Sequence, residues 1–423
     1  MESKSVSRRS FLNSSAAPAA GVAAFQIIRP ELVRGQGKAK LRAGLIGCGG
    51  RGRQAVVDMM DGSENTELVA MADIFEDKLE GNLTWLKTQH AKHAARIKVD
   101  AEHRFVGFEA YKKIITSPDV DIVMLATPPG YRPMHFEAAI EAKKHVFCEK
   151  PFGTDPVGVR RFMAAAKKSE ELKLTVMSGA QRRFDSAYMQ TIDKIKNGAI
   201  GDITGLYAYW VGTPVIQQAN GRNARWGDME WEHRNWYSYV WICGDQVVEQ
   251  HLHNIDVCNW VMGTHPVKVW AQGGRIWRPN DEMYGNIYDH LSADFEYANG
   301  VRMSSYCRQY PGQTYRNVSE LIIGSKGRSK GNDMGQRSGN PYVNEHTALM
   351  NSIRGDGPYI NHAMAVAETT MTCIMAREAA YTGEEITWDR IMKSQLDLQP
   401  KEFGYNTKIE MTPIPIPGKY KLI

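Results

Sequence analysis

The chain has 423 residues, of which 43% are hydrophobic and 23% charged, and its formal net charge is +5. These values are typical of a globular protein of two or three domains and exclude disordered, collagenous and polytopic membrane chains. The charge is small and no basic run is interleaved with aromatic residues, so we expect no nucleic-acid partner. No pair among the six cysteines has a Cys-x-x-Cys spacing, which argues against structural zinc. We expect Cys48 and Cys148 to be buried thiols.

The first 35 residues are predicted to be an export signal. Residues 7–12 read Ser-Arg-Arg-Ser-Phe-Leu, and adjacent arginines followed by a polar residue, Phe and Leu match the twin-arginine signal. The Ala- and Gly-rich stretch 16–28 is shorter than the roughly 20 apolar residues that span a bilayer. We therefore expect export to the periplasm without a stable membrane anchor; a disordered basic terminus is the alternative. Because this route carries folded proteins, it favours a cofactor bound before export.

A glycine-rich turn follows the first predicted strand, residues 41–46. It has the pattern G-x-G-x-x-G and precedes a helix-compatible stretch, residues 53–60. The glycines permit a tight turn and close approach of a pyrophosphate, and free N–H groups at the helix N-terminus bind phosphate. A chance glycine turn is the alternative, and an arginine in the turn could equally be solvated. The expected cofactor contacts are Gly47, Cys48, Gly49, Gly50, Arg51 and Gly52.

An aspartate ends the second predicted strand, residues 67–72. Asp73 lies 21 residues after Gly52. An acid at this place accepts hydrogen bonds from the adenosine ribose and repels a 2′-phosphate, so NAD is favoured over NADP. A helix N-cap is the alternative interpretation of Asp73.

Two further predicted strands end in chemically distinctive turns. Residues 120–126 run into Thr127-Pro128-Pro129, a helix is predicted over 134–142, and residues 145–148 run into Glu149-Lys150-Pro151. The alternation of strand and helix predicts a doubly wound parallel sheet. Ligands of such sheets lie at the carboxyl ends of the strands, where Lys150 is expected.

Taken together, the glycine turn, Asp73, the Thr-Pro-Pro turn, His135 and Glu149-Lys150-Pro151 resemble the glucose–fructose oxidoreductase/inositol dehydrogenase/MocA (Gfo/Idh/MocA) family, roughly over residues 40–385. The resemblance implies an NAD-binding Rossmann domain at 40–180 and an α+β substrate and oligomerisation domain at 181–390, followed by an arm at 391–423. It also implies a homo-oligomer, a dimer or tetramer. The further cofactor contacts that it implies are Thr127, Pro128, Pro129, His135, Glu149, Lys150 and Gln181.

The second half of the chain is predicted to form a large open, mostly antiparallel sheet. Strand-like segments occur at 205–211, 267–273, 290–297, 302–306 and 319–323, without intervening helices. Residues 324–339 are expected to be a loop. Residues 362–381 are expected to be a helix packed on the first domain. The tail at 412–423 is expected to be an extended arm on a neighbouring surface, for which another subunit is one candidate.

The segment 241–260 is predicted to supply acid–base chemistry. Glu249, His253 and Asp256 have the spacing i, i+4 and i+7 and would share one helix face, where a carboxylate can orient an imidazole. The family pattern is Asp-x-Gly-x-His-x-x-Asp, so Glu249 replaces an aspartate and His251 replaces a glycine. Two histidines two positions apart diverge by about 200° on a helix, and we expect no metal site. A structural histidine is the alternative.

Each of these residues has an expected role. Lys150 would stabilise a developing alkoxide and His253 would accept its proton, while Glu249 would polarise His253. Asp256 would hold a substrate hydroxyl or a hydrogen bond behind it. Ordinary packing and surface ion pairs are the alternatives for several of these side chains. The expected substrate contacts are Lys150, Arg182, Trp236, His251 and His253.

The resulting hypothesis is an enzyme that transfers a hydride between tightly bound NAD and a sugar, glycoside or polyol. One alternative is an NAD-dependent glycosidase, which oxidises a sugar transiently, eliminates the aglycone and reduces the product again. Another is a non-catalytic cofactor-binding or structural partner, against which the presence of both Lys150 and His253 argues.

Overall fold

The structure, a computed structural model, describes residues 40–215 and 221–423. The export signal predicted for residues 1–35 lies outside these described residues. Two β-sheets organise the described part of the chain, one before and one after residue 180. No helix within the described ranges is long and apolar enough to cross a membrane.

The first sheet is wholly parallel. Its strands are β1 (Leu41–Ile46), β2 (Thr66–Asp73), β3 (Arg104–Val106), β4 (Ile122–Leu125), β5 (His145–Cys148) and β6 (Val176–Ser178). Their order is β3-β2-β1-β4-β5-β6, and every neighbouring pair is parallel. All of β4 is buried, as expected of a strand covered on both faces. The predicted doubly wound sheet is confirmed, with its switch point between β1 and β4, where such sheets bind ligands.

Five helices connect these strands. They are α1 (Gly50–Gly62), α2 (Glu76–Gln89), α3 (Ala110–Thr116), α4 (Arg132–Glu141) and α5 (Pro156–Glu171). The start of α5 shows why the sequence folds this way locally. The side chain of Asp155 accepts a hydrogen bond from the Gly158 N–H at 2.6 Å. Pro156 occupies the first helical position, where an N–H would have no intrahelical partner.

The second sheet is mixed. Its strands are β7 (Ile203–Gly212), β8 (Lys268–Gly274), β9 (His290–Glu296), β10 (Arg302–Gln309), β11 (Asn317–Gly324), β12 (Gly327–Ser329) and β13 (Ile386–Thr387). Their order is β12-β11-β7-β10-β9-β8-β13. Only the pair of β7 and β10 is parallel among these described strands, so the prediction of a mostly antiparallel sheet is confirmed. The loop predicted at 324–339 is wrong in one detail, because β12 pairs there with the end of β11.

Eight α-helices follow β6 in the described part of the chain, and several of them pack on the second sheet. They are α6 (Ser186–Lys196), α7 (Asp228–Arg234), α8 (Val240–Cys243), α9 (Gln246–Glu249), α10 (Leu252–Met262), α11 (Pro341–Arg354), α12 (Ala363–Thr382) and α13 (Trp388–Lys393). Every residue of α12 from Thr369 to its end is buried. This helix packs on α5 of the first domain and on β8 of the second sheet. The predicted packing of residues 362–381 on the first domain is therefore confirmed.

The C-terminal segment has no regular secondary structure after α13. The Tyr288 hydroxyl donates to the Pro415 carbonyl at 2.8 Å, and the Tyr420 hydroxyl donates to Glu378 at 2.9 Å. The Gln395 N–H donates to the carbonyl of the terminal Ile423 at 2.8 Å. The predicted extended arm thus lies on its own chain.

The cysteines are buried and carry free thiols. Burial raises the pKa of the Cys148 thiol to about 12, so it stays protonated. The prediction for Cys48 and Cys148 is confirmed, and the same environment holds for Cys243, Cys258, Cys307 and Cys373.

Candidate functional site

A cavity of about 860 Å³ lies at the carboxyl edge of the parallel sheet. The first domain lines it with the glycine turn after β1, Asp73 after β2 and Lys150 after β5. The second domain contributes side chains such as Glu249 and His253. Residues predicted as cofactor contacts and as catalytic groups therefore meet in one space.

The glycine turn has the geometry that a pyrophosphate requires. Gly47 has a φ of 94°, and a Cβ there would lie 2.6 Å from the Thr127 backbone nitrogen. A Cβ on Gly52 would overlap the carbonyl oxygen of Gly47. A Cβ on Gly49 or Gly50 would meet no atom within 4 Å, so the start of α1 is open to the cavity. These observations fit a dinucleotide, whose phosphates would accept hydrogen bonds from the N–H groups there.

The turn is tied to Asp73 by its second residue. The backbone N–H of Cys48 donates to Asp73 Oδ2 at 2.6 Å, and the N–H of Phe75 donates to Oδ1 at 2.9 Å. Burial raises the pKa of Asp73, while these two bonds oppose the rise. Asp73 lines the cavity, whereas Cys48 and Gly52 do not. In this structure Cys48 and Gly52 shape the turn behind the cavity wall, and their direct contact with the cofactor stays a prediction.

Arg51 lines the cavity but is held by acids. Its Nε donates to Glu149, its Nη1 lies 3.0 Å from Asp58 and its Nη2 lies 3.5 Å from Glu345. Its guanidinium also lies 4.7 Å from the centre of the Tyr342 ring. Tyr342 and Glu345 come from α11, and no signal in the sequence pointed to them. Most of the charge of Arg51 is thus balanced within the protein.

The first two residues of the Thr-Pro-Pro turn line the main cavity and also a smaller pocket beside it. Thr127 and Pro128 line the main cavity, and Pro129 does not. His135 lines a smaller neighbouring pocket instead, and its ring lies between Tyr111 and Tyr131, at 4.2 and 5.6 Å between centroids. Burial lowers the pKa of His135 to about 3. Neither Pro129 nor His135 lines the main cavity, and their direct contact with the cofactor stays a prediction.

Two other predicted cofactor contacts lie along the cavity wall. Glu149 lines it while accepting the hydrogen bond from Arg51. Gln181 also lines it, and its side-chain oxygen is buried without a hydrogen-bond partner among the described residues. A buried amide oxygen without a partner is costly, so Gln181 is ready to accept a hydrogen bond from a ligand.

Lys150 is anchored by the second domain. Its Nζ donates to the Glu249 carbonyl oxygen at 2.6 Å and lies 3.3 Å from Glu249 Oε1. The other oxygen, Oε2, accepts a hydrogen bond from the Tyr237 hydroxyl. Burial and the Glu249 charge raise the pKa of Tyr237 well above 10, so it remains a donor. Both oxygens of Glu249 are thus occupied by groups other than His253, and the expectation that Glu249 polarises His253 is wrong.

The helix predicted across this segment is interrupted. α9 ends at Glu249, α10 begins at Leu252, and the His251 N–H donates to the Gln246 carbonyl five residues back, at 3.2 Å. This wider turn shifts the faces on either side of it. Glu249 and His253 still line the cavity, but Asp256 does not.

Three predicted site residues have structural partners elsewhere. Asp256 binds Arg183 through both oxygens at 2.8 Å. Arg182 binds the buried Glu320. The Nε2 atom of His251 lies 2.7 Å from the Ser305 hydroxyl. None of the three lines the cavity. The helix α10 packs against β7 and β11, and Arg182 lies outside that helix, in the turn after β6. Their predicted substrate contacts are therefore corrected.

His253 has the properties of a base. Its side chain is 9% exposed, and its ring is stacked near that of Trp210 at 6.0 Å between centroids. Burial lowers the pKa of His253 well below 6.5, and the positive charge of Lys150 adds to this effect. The imidazole is therefore neutral at physiological pH and can accept a proton.

Several residues that line the cavity were not predicted from the sequence. Trp236 was predicted and does line the cavity. No set of three His, Cys, Asp or Glu side chains within the described ranges could hold a metal ion. The lining residues not predicted as site residues include Arg132, His233, Arg234, Tyr237, Gln250 and Tyr342.

Comparison with protein families gives two matches. Residues 41–178 match the model described as the GFO_IDH_MocA oxidoreductase family, NAD-binding Rossmann fold. Residues 188–330 match the model of the GFO/IDH/MocA C-terminal domain. The two matches fall on the two sheets, in the same order.

Individual relatives carry dehydrogenase names. The myo-inositol 2-dehydrogenase of Thermotoga maritima is 25% identical over 238 residues, which are 55% of this chain and 58% of that protein. The uncharacterized oxidoreductase YrbE of Bacillus subtilis is 26% identical over 196 residues, 46% of this chain and 51% of that protein. The chain thus spans about half the length of the curated relatives it matches.

Solved structures share the fold. Scyllo-inositol dehydrogenase from Lactobacillus casei with bound NAD(H) and scyllo-inositol has a TM-score of 0.62 at 21% identity, covering 82% of this chain and 99% of that one. The WlbA dehydrogenase from Bordetella pertussis, in complex with NADH and UDP-GlcNAcA, has a TM-score of 0.61 at 19% identity. It covers 82% of this chain and 98% of that one.

Proposed function

Because this chain belongs to the Gfo/Idh/MocA family, we propose that it is an NAD-dependent oxidoreductase acting on a hydroxyl or carbonyl carbon of a sugar, glycoside or polyol. The observation that carries the proposal is the meeting of Lys150, His253 and the glycine turn in one cavity. The inositol dehydrogenases among its relatives support a polyol or sugar as the substrate class.

Besides the exchange of a hydride with NAD, the reaction needs a base and a group that stabilises negative charge, and residues of this chain supply both. Bound NAD supplies the hydride acceptor or donor. As the C–H hydride leaves the substrate, the hydroxyl proton must leave too, and neutral His253 accepts it. Lys150 lies beside the same space and stabilises the negative charge on the substrate oxygen. Glu249 and Tyr237 position the Lys150 ammonium, through the contacts at Oε1, Oε2 and the backbone carbonyl.

The acidic limb of the pH profile follows from His253. The base must be neutral, and its lowered pKa means that it protonates only below pH 6.5. In the oxidation direction, kcat/KM is therefore expected to fall only as the pH drops below 6.5. The measurement is a pH–rate profile from about pH 5 to 9. His253→Asn should remove the limb and most of the rate, whereas His265→Asn, at a histidine stacked on Trp388, should keep the wild-type profile. A wild-type limb above pH 6.5 would contradict the assignment.

Retention of NAD between turnovers is part of the proposal. The segment after Asp73 is covered by residues from later in the chain. The Tyr405 hydroxyl donates to the Ile74 carbonyl, and its ring packs near Phe108 at 5.1 Å. The Arg234 guanidinium lies 4.0 Å from the centre of the Phe75 ring. These contacts hold the segment after Asp73 in place, which supports slow release of an adenosine bound beside Asp73.

Tyr405→Ala is expected to speed the release of NAD by about tenfold, a loss of ~1.4 kcal/mol. The change removes the hydroxyl bond to Ile74 and the ring against Phe108. The measurement is the NAD that remains on the purified full chain after timed dialysis. Tyr315→Ala is the matched control, because that side chain is 73% exposed and does not line the cavity. Equal NAD retention by Tyr405→Ala and Tyr315→Ala would show that Tyr405 does not slow the release of NAD.

One experiment separates the oxidoreductase from the glycosidase. The purified protein is denatured and its supernatant is assayed for NAD, and the native protein is then offered sugars and aryl glycosides. A change in NADH absorbance without aglycone release supports the oxidoreductase. Aglycone release without net redox change supports the glycosidase, for which Lys150 and His253 would also serve. Failure to bind NAD would exclude both.

Export and assembly complete the proposal. The twin-arginine pattern supports periplasmic localisation, and replacing both Arg8 and Arg9 by lysine should leave the protein in the cytoplasm.

The second sheet exposes apolar side chains on its uncovered face, among them Trp270 at 48% and Tyr306 at 42%. An apolar face of this kind supports a homo-oligomer, and light scattering should give the mass of a dimer or tetramer.

A further inference from the structure

Among the described residues, six cationic and three acidic side chains line the main cavity. Most of them form pairs within the protein. Arg51 binds Glu149, Lys150 binds Glu249, and Arg234 binds Asp77. Near the glycine turn, Arg53 donates to the Asn82 amide oxygen at 2.9 Å and lies 4.1 Å from the Trp85 ring.

Arg132 differs from Arg51, Lys150 and Arg234, because these three cations are each paired with a described acid. Its side chain begins at the start of α4, and the residue is 5% exposed. Its Nη1 donates to the Pro151 carbonyl at 2.8 Å, directly after Lys150 in the chain. Its Nε is buried without a hydrogen-bond partner among the described residues. No described acid lies within 4 Å of this guanidinium, although Glu149 and Glu249 act on it from further away.

A buried cation without a counterion is an expensive arrangement. Arginine does not avoid the cost of burying its charge by losing a proton, because the guanidinium stays charged in proteins. A buried charge that is left unpaired costs several kcal/mol, as an order of magnitude. An anion that enters the cavity would recover part of this cost, and Arg132 has unused donors to bind it.

We propose that Arg132 binds a carboxylate of the substrate, so that the enzyme acts on a sugar acid rather than on a neutral sugar. The inference rests on the proposed oxidoreductase function and specifies its substrate class. The carboxylate lies beside Lys150, on the side of Pro151, and the carbon that reacts is another carbon of the same molecule.

The cofactor phosphates do not account for this cation. The open N–H groups that fit a pyrophosphate belong to the start of α1, after β1. Arg132 instead follows β4 and touches the turn after β5. A planar guanidinium with one edge already used suits a single carboxylate, whereas a phosphate ester usually takes several donors.

The test compares matched acid and neutral substrates on the full chain loaded with NAD. The pairs are D-glucuronate with D-glucose, D-galacturonate with D-galactose, and D-gluconate with D-glucitol, and D-glucose 6-phosphate is a further probe. The wild type is expected to prefer the acid of at least one pair by about tenfold or more in kcat/KM. Arg132→Gln should lower that ratio about tenfold, mainly through KM, and Arg132→Lys should restore part of it.

Arg278→Gln is the matched control. Arg278 is 7% exposed and, like Arg132, has a buried Nε without a partner and no described acid within 4 Å, but it does not line the cavity. Its replacement should leave the acid-to-neutral ratio unchanged. The wild-type comparison alone decides the matter if Arg132→Gln does not fold.

The outcomes are distinguishable. Oxidation of neutral sugars without a preference for the acids would overturn the inference and leave the proposed function standing. A preference for the phosphate ester over every acid would also overturn it. If NAD binds but no sugar, acid or polyol is oxidised, the proposed function falls and the inference falls with it.

Discussion

Lys150→Met is expected to reduce kcat by a factor of about 100 to 1,000, while NAD still binds. The methionine retains the length of the side chain and removes the ammonium that stabilises the substrate alkoxide. The cofactor contacts of the glycine turn and Asp73 do not depend on that charge. The measurements are steady-state turnover on the best substrate of the screen and NAD binding by fluorescence titration.

Lys144→Met is the control for this change. Lys144 also donates to backbone carbonyls, those of Ser117 and Val120 at 2.7 Å, but it does not line the cavity. Its loss should lower the free energy of unfolding and leave turnover unchanged. Wild-type turnover by Lys150→Met would remove Lys150 from the reaction. A loss of turnover in both variants would show that stability, and not chemistry, is being measured.

Gly52→Val is expected to weaken NAD binding by roughly 10- to 100-fold. A Cβ at this position would overlap the Gly47 carbonyl oxygen, so either the turn or the start of α1 must move. Overpacking of this kind costs about 1–3 kcal/mol, equivalent to roughly a 10- to 100-fold loss of affinity when it falls on the binding geometry. Titration of NAD measures the affinity, and thermal unfolding measures the accompanying loss of stability.

Gly81→Ala provides the matched comparison for Gly52. Gly81 lies in the middle of α2, and its Cβ would meet no atom within 4 Å. Alanine favours a helix more than glycine does, so this variant should be as stable as the wild type or slightly more so. It should bind NAD normally. Tight NAD binding by Gly52→Val would mean that the turn does not approach the pyrophosphate closely.

Local sequence patterns predicted the first domain well. The strands are apolar runs that end at glycine, aspartate or proline, and each turn follows its strand within a few residues. The glycine turn, Asp73 and Lys150 therefore lie where the order of strands in a doubly wound sheet brings them. These predictions succeeded because the carboxyl ends of parallel strands meet at one edge of the sheet.

The predictions that failed depend on contacts distant in the chain. A regular helix was expected to bring Asp256 to the cavity, but His251 bonds to Ser305 of β10 and the turn widens there. Arg182 was predicted as a substrate contact and is bound to Glu320 of β11 in the structure. Periodicity within one segment carries no information about such partners, so the faces of α9 and α10 had to be seen in the fold.

The helix α12 makes the two sheets a single cooperative unit. It is buried from Thr369 onward and shared between α5 and β8, and the Phe152 N–H donates to Thr370 at 3.1 Å. Removing the second half of the chain would strip apolar cover from the first sheet as well. The loss of a helix buried on both sides would leave neither half a complete core of its own. The cofactor domain and the substrate domain are therefore expected to unfold together in one thermal transition, rather than as independent modules.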